Sequence, residues 1–233
     1  RDFRKHYNVL LIDLRGHGKS KQPIYEKLKR YTFDVIGDEV IEVLDHLGID
    51  KASIWGVSMG GMIVQSAAAR HPDRVKTLIS HMSSSGGPGL TEAKPEVMAA
   101  LMSAPAADDR DSVLAYQLET RNVFGSPGYP FGDDRIRDYC GRAYDRCYYP
   151  QGTARQMAAV VSSGSRVEQL KTIKVPTLVI HGNDDPLVPV DGGIDTAKHI
   201  EGAKLELIDG YGHDLPLQLL PRFAEMVDDF IRG

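Results

Sequence analysis

Short apolar segments alternate with helical segments along most of the chain, and this alternation limits the possible folds more than any other feature. Five runs have the length and composition of buried strands: NVLLIDL (8–14), ASIWGV (52–57), VKTLISHM (75–82), VPTLVIH (175–181) and AKLELID (203–209). Helices are predicted near 33–47, 59–70, 192–200 and 219–231. Strands separated by helices pair in parallel, so the sequence predicts an α/β fold with a mainly parallel sheet flanked by helices.

The alternation stops between residues 86 and 172. This segment contains no clear strand, and helical stretches are predicted in it near 94–103, 109–122, 134–147 and 153–164. Turn-rich sequence such as GSPGYPFGDD separates these stretches. We therefore predict a core made of residues 1–85 and 173–233, interrupted by a helical insertion of residues 86–172.

Composition and charge exclude several classes of function. The 233 residues carry a formal net charge of −4, so the basic surface that nucleic-acid binding requires is missing. No apolar run approaches the roughly 18 residues that a membrane span needs. The two cysteines, Cys140 and Cys147, lie two turns apart in one predicted helix, too far from each other for a disulfide. Unpaired thiols are typical of a reducing compartment, and we expect a cytoplasmic protein.

The segment GVSMGGM (56–62) places Ser58 at the junction of a predicted strand and a predicted helix. Glycines two residues to either side of such a serine are the pattern of a nucleophile elbow. The sharp turn strains the serine backbone, and we expect Gly56 and Gly60 to leave room where side chains would collide. Met59 begins the helix, so its backbone N–H is placed to stabilise an oxyanion above Ser58 Oγ.

A serine hydroxyl needs a base to become nucleophilic at neutral pH, and the base needs an orienting carboxylate. Of the eight histidines, His213 in GYGHDLP is the best candidate base, because it lies in a glycine-bearing loop after the last strand. The loop HGNDDPLVP, after the preceding strand, supplies Asp184 and Asp185 as candidate acids. The other suitable position, after strand 75–82, offers no carboxylate before Glu92.

Four segments, in the expected order, resemble sequence signatures of the α/β-hydrolase fold family and of its lid-bearing serine esterases: DLRGHGKS, GVSMGG, VPTLVIHGNDDPLVP and GYGHDLP. The resemblance implies that Ser58 is the nucleophile and His213 the base. The family's Gly-x-x-Asp acid pattern falls on Gly182 to Asp185, which implies Asp185 as the acid and Asp184, the runner-up, as a turn residue. The helical insertion matches the family's cap.

This resemblance implies hydrolysis of a carboxylic ester of a small or medium organic substrate through an acyl-enzyme, without cofactor or metal. The expected partner is therefore a small-molecule ester. The same triad also serves cofactor-free perhydrolases (haloperoxidases) and C–C or amide hydrolases. Some proteins of this fold bind a ligand without turning it over, and this receptor-like alternative stays open.

Family members normally begin with further strands and a His-Gly loop that supplies a second oxyanion donor, and these residues are not in the sequence. The family's third strand would lie between segments 8–14 and 52–57. A parallel sheet with that position empty would leave backbone groups unpaired on both neighbours. We therefore expect the chain to be part of a longer polypeptide, or another chain to supply the segment.

Overall fold

The computed structural model describes residues 3–20, 31–130 and 132–233. Within these ranges four parallel strands form one sheet in the spatial order β1-β2-β3-β4: β1 (Ala52–Val57), β2 (Val75–His81), β3 (Thr177–Gly182) and β4 (Lys204–Ile208). The described α-helices are α1 (Phe33–His46), α2 (Met59–Arg70), α3 (Pro95–Met102), α4 (Arg110–Phe124), α5 (Asp133–Arg146), α6 (Pro150–Ser163), α7 (Val167–Leu170), α8 (Asp191–His199) and α9 (Leu220–Arg232). The predicted fold class is confirmed.

Helices cover both faces of this sheet. Leu78 and Ile79 are adjacent on β2, so their side chains point to opposite faces, and both are fully buried. Leu78 packs in an apolar cluster with Val64 and Ala67 of α2, whereas Ile79 packs in a cluster with Phe223 of α9. Because both of its faces are buried, the interior strand β3 has a nearly continuous apolar sequence, whereas the marginal strand β4 (KLELI) alternates charged and apolar residues.

Helix α1 begins and ends where local signals in the sequence indicate. The Thr32 side chain caps its first turn, with Oγ1 accepting a hydrogen bond from the backbone N–H of Val35 at 3.3 Å. Gly48, just beyond the last turn, has a φ of +67°, which glycine adopts without steric cost. Phe33 and Ile36 lie on the buried face of the helix.

Residues 8–14 do not form the strand that their apolar sequence predicts. The segment has no regular secondary structure, and Val9, Leu10 and Leu11 are 50%, 43% and 89% exposed. A strand requires a neighbour that pairs with its backbone N–H and C=O groups, and none of the described strands pairs with this segment. Strand β1 forms the margin of the described sheet. A further segment beside β1 stays a prediction.

Helices α3 to α7 follow one another between β2 and β3, in the segment for which helices were predicted. Leu114 of α4 packs against Ile136 and Cys140 of α5 in a small apolar cluster. Ala159 of α6 packs with Phe33 of α1, which joins this helical segment to the core. The division into a core and a cap with boundaries at residues 86 and 172 stays a prediction.

Cys140 is buried, Cys147 is half-buried, and neither forms a disulfide. In the described part of the chain, no helix combines the length and the apolar character that a bilayer crossing demands.

Candidate active site

Ser58 occupies a strained turn between β1 and α2. Its φ of +54° and ψ of −121° lie outside the regions that residues with a side chain favour. Such a conformation costs roughly 1–3 kcal/mol and persists only where the surrounding structure enforces it. Here the Ser58 N–H donates to the carbonyl oxygen of His81 at 2.8 Å, so the end of β2 holds the turn in place.

The turn depends on two glycines, but they are not the pair expected from the sequence. A Cβ on Gly56 would lie 2.1 Å from the carbonyl oxygen of Gly60, and a Cβ on Gly61 would lie 2.5 Å from Ser83 Cβ. A Cβ on Gly60 would meet none of its described neighbours within 4 Å, so the expected collision at Gly60 is wrong. Gly60 contributes the backbone against which Gly56 packs.

We expect Gly56→Ala to lower the free energy of unfolding by about 3 kcal/mol, because the added methyl group overlaps the Gly60 carbonyl and the backbone must move. Gly60→Ala is the matched control: it adds the same methyl group in open space within a helix, and should change stability by less than about 1 kcal/mol. Urea unfolding of both variants measures the difference. Equal destabilisation would contradict this account of the turn.

The structure brings Ser58, His213 and Asp185 together at the carboxyl ends of three parallel strands. Ser58 Oγ lies 2.8 Å from His213 Nε2, and His213 Nδ1 lies 2.7 Å from Asp185 Oδ2. An ionised carboxylate can only accept, so Nδ1–H of the imidazole donates to Asp185. His213 Nε2 is then the acceptor for the Ser58 hydroxyl proton.

Asp185 is buried and is held in its ionised form. Burial raises the pKa of this carboxyl, but the imidazoles of His181 and His213 and the backbone N–H of Val188 outweigh burial and bring the pKa to about 2. Oδ1 accepts hydrogen bonds from the N–H groups of Leu187 and Val188, at 2.9 and 2.8 Å. The carboxylate is thus fixed in orientation and charged at neutral pH.

Asp184, the runner-up acid, is bonded elsewhere. Its Oδ2 accepts from the backbone N–H of Gly210 at 2.7 Å, and its own N–H donates to the carbonyl oxygen of Tyr211 at 3.1 Å. The residue therefore joins the loop after β3 to the loop after β4, whereas the carboxylate in contact with His213 belongs to Asp185.

Two further histidines are buried in the interior, and one of them lies close to Asp185. His181 Nε2–H donates to the Val188 carbonyl at 2.8 Å and lies 3.5 Å from Asp185 Oδ2. His81 is completely buried, which lowers its pKa to about 3, and its Nε2 is hydrogen-bonded to the Tyr211 hydroxyl at 2.9 Å. The sequence places both histidines at strand ends but does not reveal these partners.

Met59, the expected oxyanion donor, is the first residue of α2. Its N–H therefore has no acceptor within the helix, and the positive end of the helix dipole lies at the same place. Because Ser58 directly precedes this N–H, a carbonyl oxygen of a substrate bonded to Oγ would lie close to a donor. The oxyanion role of Met59 stays a prediction.

A cavity of about 550 Å³ lies between the segment 12–18 and helices α5 and α6. Its walls include Ile12, Leu14, His17, Tyr139, Arg142 and Arg146. Leu14 and Met59 pack against the same apolar cluster, which connects the cavity wall to the beginning of α2. Arg146 is paired with Asp13, whereas Arg142 pairs only with the exposed carboxylate of Asp138 on its own helix, as far as the described contacts show.

Ser126 contacts Asp214 in the loop that carries His213, and the sequence did not identify either residue. Asp214 directly follows His213, and Ser126 lies in the glycine-containing turn after α4. The position of Asp214 next to the candidate base is a weak signal, but nothing in the sequence pattern relates positions 126 and 214. Only the fold brings them into hydrogen-bond contact.

A parallel sheet that carries a serine at a strand–helix turn, with a histidine and an acidic residue in later post-strand loops, defines the α/β-hydrolase class of folds. The sequence agrees with this class over most of its length. It matches the family described as "alpha/beta hydrolase fold" over residues 1–218, and the chain belongs to that family.

Similar proteins of this family are hydrolases. The 2-hydroxymuconate semialdehyde hydrolase of Pseudomonas sp. (strain CF600) is 27% identical over 242 residues, covering 99% of this chain and 78% of the relative. The 3-oxoadipate enol-lactonase 2 of Acinetobacter baylyi is 29% identical over 212 residues, covering 89% and 72%. A solved meta-cleavage product hydrolase from Pseudomonas fluorescens IP01 has the same fold, with a TM-score of 0.76 at 21% identity, covering 94% of this chain and 77% of that one.

Proposed function

We propose that this chain is a serine hydrolase that cleaves a carboxylic ester of a small or medium organic substrate. The observation that carries the proposal is the pair of hydrogen bonds from Ser58 to His213 and from His213 to Asp185, at 2.8 and 2.7 Å. A hydroxyl bonded to an imidazole that a buried carboxylate orients is the arrangement that activates serine. The enol-lactonase relative supports an ester, because a lactone is a cyclic ester.

In the acylation step, Ser58 Oγ attacks the ester carbonyl carbon while His213 Nε2 takes the hydroxyl proton. The negative charge that develops on the carbonyl oxygen is stabilised by the N–H of Met59. The ionised Asp185 stabilises the imidazolium that forms. When the tetrahedral intermediate collapses, the C–O bond to the alcohol breaks and His213 Nε2–H donates its proton to the leaving oxygen.

The acyl-enzyme is hydrolysed through the same groups. Water attacks the acyl carbon, His213 Nε2 takes a proton from that water, and the oxyanion forms again next to Met59. Collapse breaks the bond to Ser58 Oγ, which recovers its proton from His213. The carboxylic acid then leaves, and neither step requires a cofactor.

We assign the part of the substrate that does not react to the cavity between the segment 12–18 and helices α5 and α6, because its wall residue Leu14 packs against the same apolar cluster as Met59. Ile12 and Leu14 provide apolar wall, and Arg142 provides a positive charge. The ion pair between Arg142 and Asp138 is exposed, and such pairs contribute only about 0–1 kcal/mol. Arg142 can therefore turn toward a ligand carboxylate at little cost, which favours substrates that carry a carboxylate in addition to the ester.

Hydrolysis of a carbon–carbon bond next to a carbonyl group is the second candidate. It is favoured by the similarity to the 2-hydroxymuconate semialdehyde hydrolase, which extends over 99% of this chain. In this reaction the same serine and histidine would serve, but the leaving group would be a carbanion equivalent that needs a proton on carbon.

A panel of chromogenic substrates tests the proposal: 4-nitrophenyl acetate, the 4-nitrophenyl monoester of succinic acid, 4-nitroacetanilide, and an unsaturated 1,5-diketo acid. We expect both esters to be hydrolysed, with kcat/KM about tenfold higher for the acidic ester because of one additional charge-assisted contact. Turnover of the diketo acid alone would transfer the assignment to carbon–carbon hydrolysis. Absence of turnover and of covalent labelling would favour a ligand-binding role.

A further inference from the structure

The loop that carries His213 lies directly on the turn that follows α4. The backbone N–H of His213 donates to the carbonyl oxygen of Phe124 at 2.8 Å. Two residues further along the turn from Ser126, the N–H of Gly128 donates to the carbonyl oxygen of Gly210, also at 2.8 Å. The histidine loop is therefore bonded to the helical segment between β2 and β3 as well as to the sheet.

A single side chain of this turn holds both neighbours of the histidine. Ser126 is buried, and its Oγ accepts a hydrogen bond from the N–H of Gly212 at 2.9 Å. The same hydroxyl donates its proton to Oδ1 of Asp214, which is also buried. Gly212 and Asp214 immediately precede and follow His213, so one hydroxyl is bonded to the residues on each side of it.

The two segments are also in direct backbone contact. A Cβ on Gly212 would lie 2.5 Å from the carbonyl oxygen of Gly125, and a Cβ on Gly128 would lie 2.9 Å from Gly210 Cα. No side chain or water layer fits between backbones at these distances. The position of the turn after α4 therefore sets the position of the histidine loop.

We infer that Ser126, through its bonds to Gly212 and Asp214, is a positioning residue that holds the His213 imidazole at hydrogen-bond distance from Ser58. This inference rests on the proposed function, because it assigns Ser126 to the base of that reaction. Without the hydroxyl, a buried N–H and a buried carboxylate lose a partner, and the loop must move to regain one. A displacement of about 1 Å at a catalytic group can lower the rate by about 100-fold.

The first experiment compares Ser126→Ala with Ser112→Ala in the hydrolysis of 4-nitrophenyl acetate. Ser112 is a matched control, since its Oγ also donates to an aspartate, Asp109, at 2.7 Å, but at the exposed beginning of α4. We expect Ser126→Ala to lower kcat by about 10- to 100-fold with an unchanged KM, and the rate of fluorophosphonate labelling of Ser58 to fall by the same factor. Ser112→Ala should match the wild-type rates.

The outcomes distinguish this inference from the proposed function. If the probe labels the wild-type protein and the Ser126→Ala variant hydrolyses the ester as fast as the wild type, the positioning role is overturned. The serine hydrolase assignment then stands. A loss in Ser126→Ala that appears only in KM would also overturn it. Wild-type protein that neither hydrolyses the ester nor reacts with the probe would remove the proposed function and this inference together.

A second set of variants keeps the inference testable if Ser126→Ala does not fold. Asp214→Asn retains an oxygen that accepts from the Ser126 hydroxyl, so we expect it to keep most of the wild-type kcat. Asp214→Ala should be clearly slower than Asp214→Asn, and at most as impaired as Ser126→Ala, which also removes the bond to Gly212. The double variant Ser126→Ala/Asp214→Ala should lose no more activity than Ser126→Ala alone, because Asp214 acts through a bond that Ser126→Ala already removes. Additive losses, or an Asp214→Asn variant as slow as Asp214→Ala, would overturn the inference.

Discussion

Replacement of Ser58 by alanine is expected to abolish ester hydrolysis and covalent labelling by a fluorophosphonate probe. The variant removes the one oxygen that lies 2.8 Å from His213 Nε2, and loss of a serine nucleophile lowers kcat by roughly 10⁵- to 10⁶-fold. The Ser58 side chain makes no capping bond to α2, so its removal should leave the helix and the fold in place. Labelling on a denaturing gel and circular dichroism measure the two effects separately.

Ser103→Ala is the control for this experiment. Ser103 is an exposed serine whose Oγ donates only to the nearby carbonyl oxygen of Ala100, at 2.7 Å, among the described contacts. This variant should be labelled as fast as the wild-type protein. Persistent labelling of Ser58→Ala would show that another residue is the nucleophile and would contradict the proposed mechanism.

The second large effect is expected from Asp185→Asn, with a decrease in kcat of about 10⁴-fold. The N–H groups of Leu187 and Val188 both donate to Oδ1, so the oxygen of the asparagine amide must occupy that position. Its NH₂ group would then face His213 Nδ1. Since an NH₂ group donates, the imidazole proton would move from Nδ1 to Nε2. A protonated Nε2 can no longer accept the proton of Ser58.

Asp184→Asn is the matched control, one residue away in the same loop. The amide introduced there would still present an oxygen to the N–H of Gly210, from which Asp184 Oδ2 accepts at 2.7 Å, so we expect kcat to change by less than about threefold. Measuring kcat and KM for both variants decides between the two candidate acids. A larger loss in the Asp184 variant than in the Asp185 variant would reverse their assignment.

Elements with local signals could be predicted closely. The strand predicted at 52–57 has the same bounds in the structure, and helix α1 ends one residue before its predicted limit of 47. The reason is that a parallel strand between helices needs a short, mostly apolar run, and a helix end needs a cap such as Thr32 or a glycine such as Gly48. Each of these requirements is met within a few neighbouring residues.

The two wrong predictions concern contacts rather than local preference. The run 8–14 is as apolar as the true strands, but a strand also needs a neighbour that pairs with its backbone, and the described sheet ends at β1. Gly60 was expected to avoid a collision because it is part of the motif, yet the crowded positions are Gly56 and Gly61. Whether a Cβ fits depends on atoms that lie far away in the sequence or across the turn.

By itself, the sequence determined the fold class and the candidates for the site. The order of strands and helices places Ser58, Asp185 and His213 after three different strands, and parallel strands end at one edge of the sheet, so these residues had to lie near one another. The sequence also left two aspartates as possible acids, because adjacent residues in a loop follow the same strand.

Only the tertiary structure decided which atoms are in contact. It places Asp185 Oδ2 at 2.7 Å from His213 and turns Asp184 toward Gly210 instead. It also brings Ser126, 88 positions away in the chain, to Asp214 beside the base. Hydrogen bonds depend on distances of a few tenths of an ångström and on direction, and these follow from the packing of whole segments rather than from the pattern of residues along the chain.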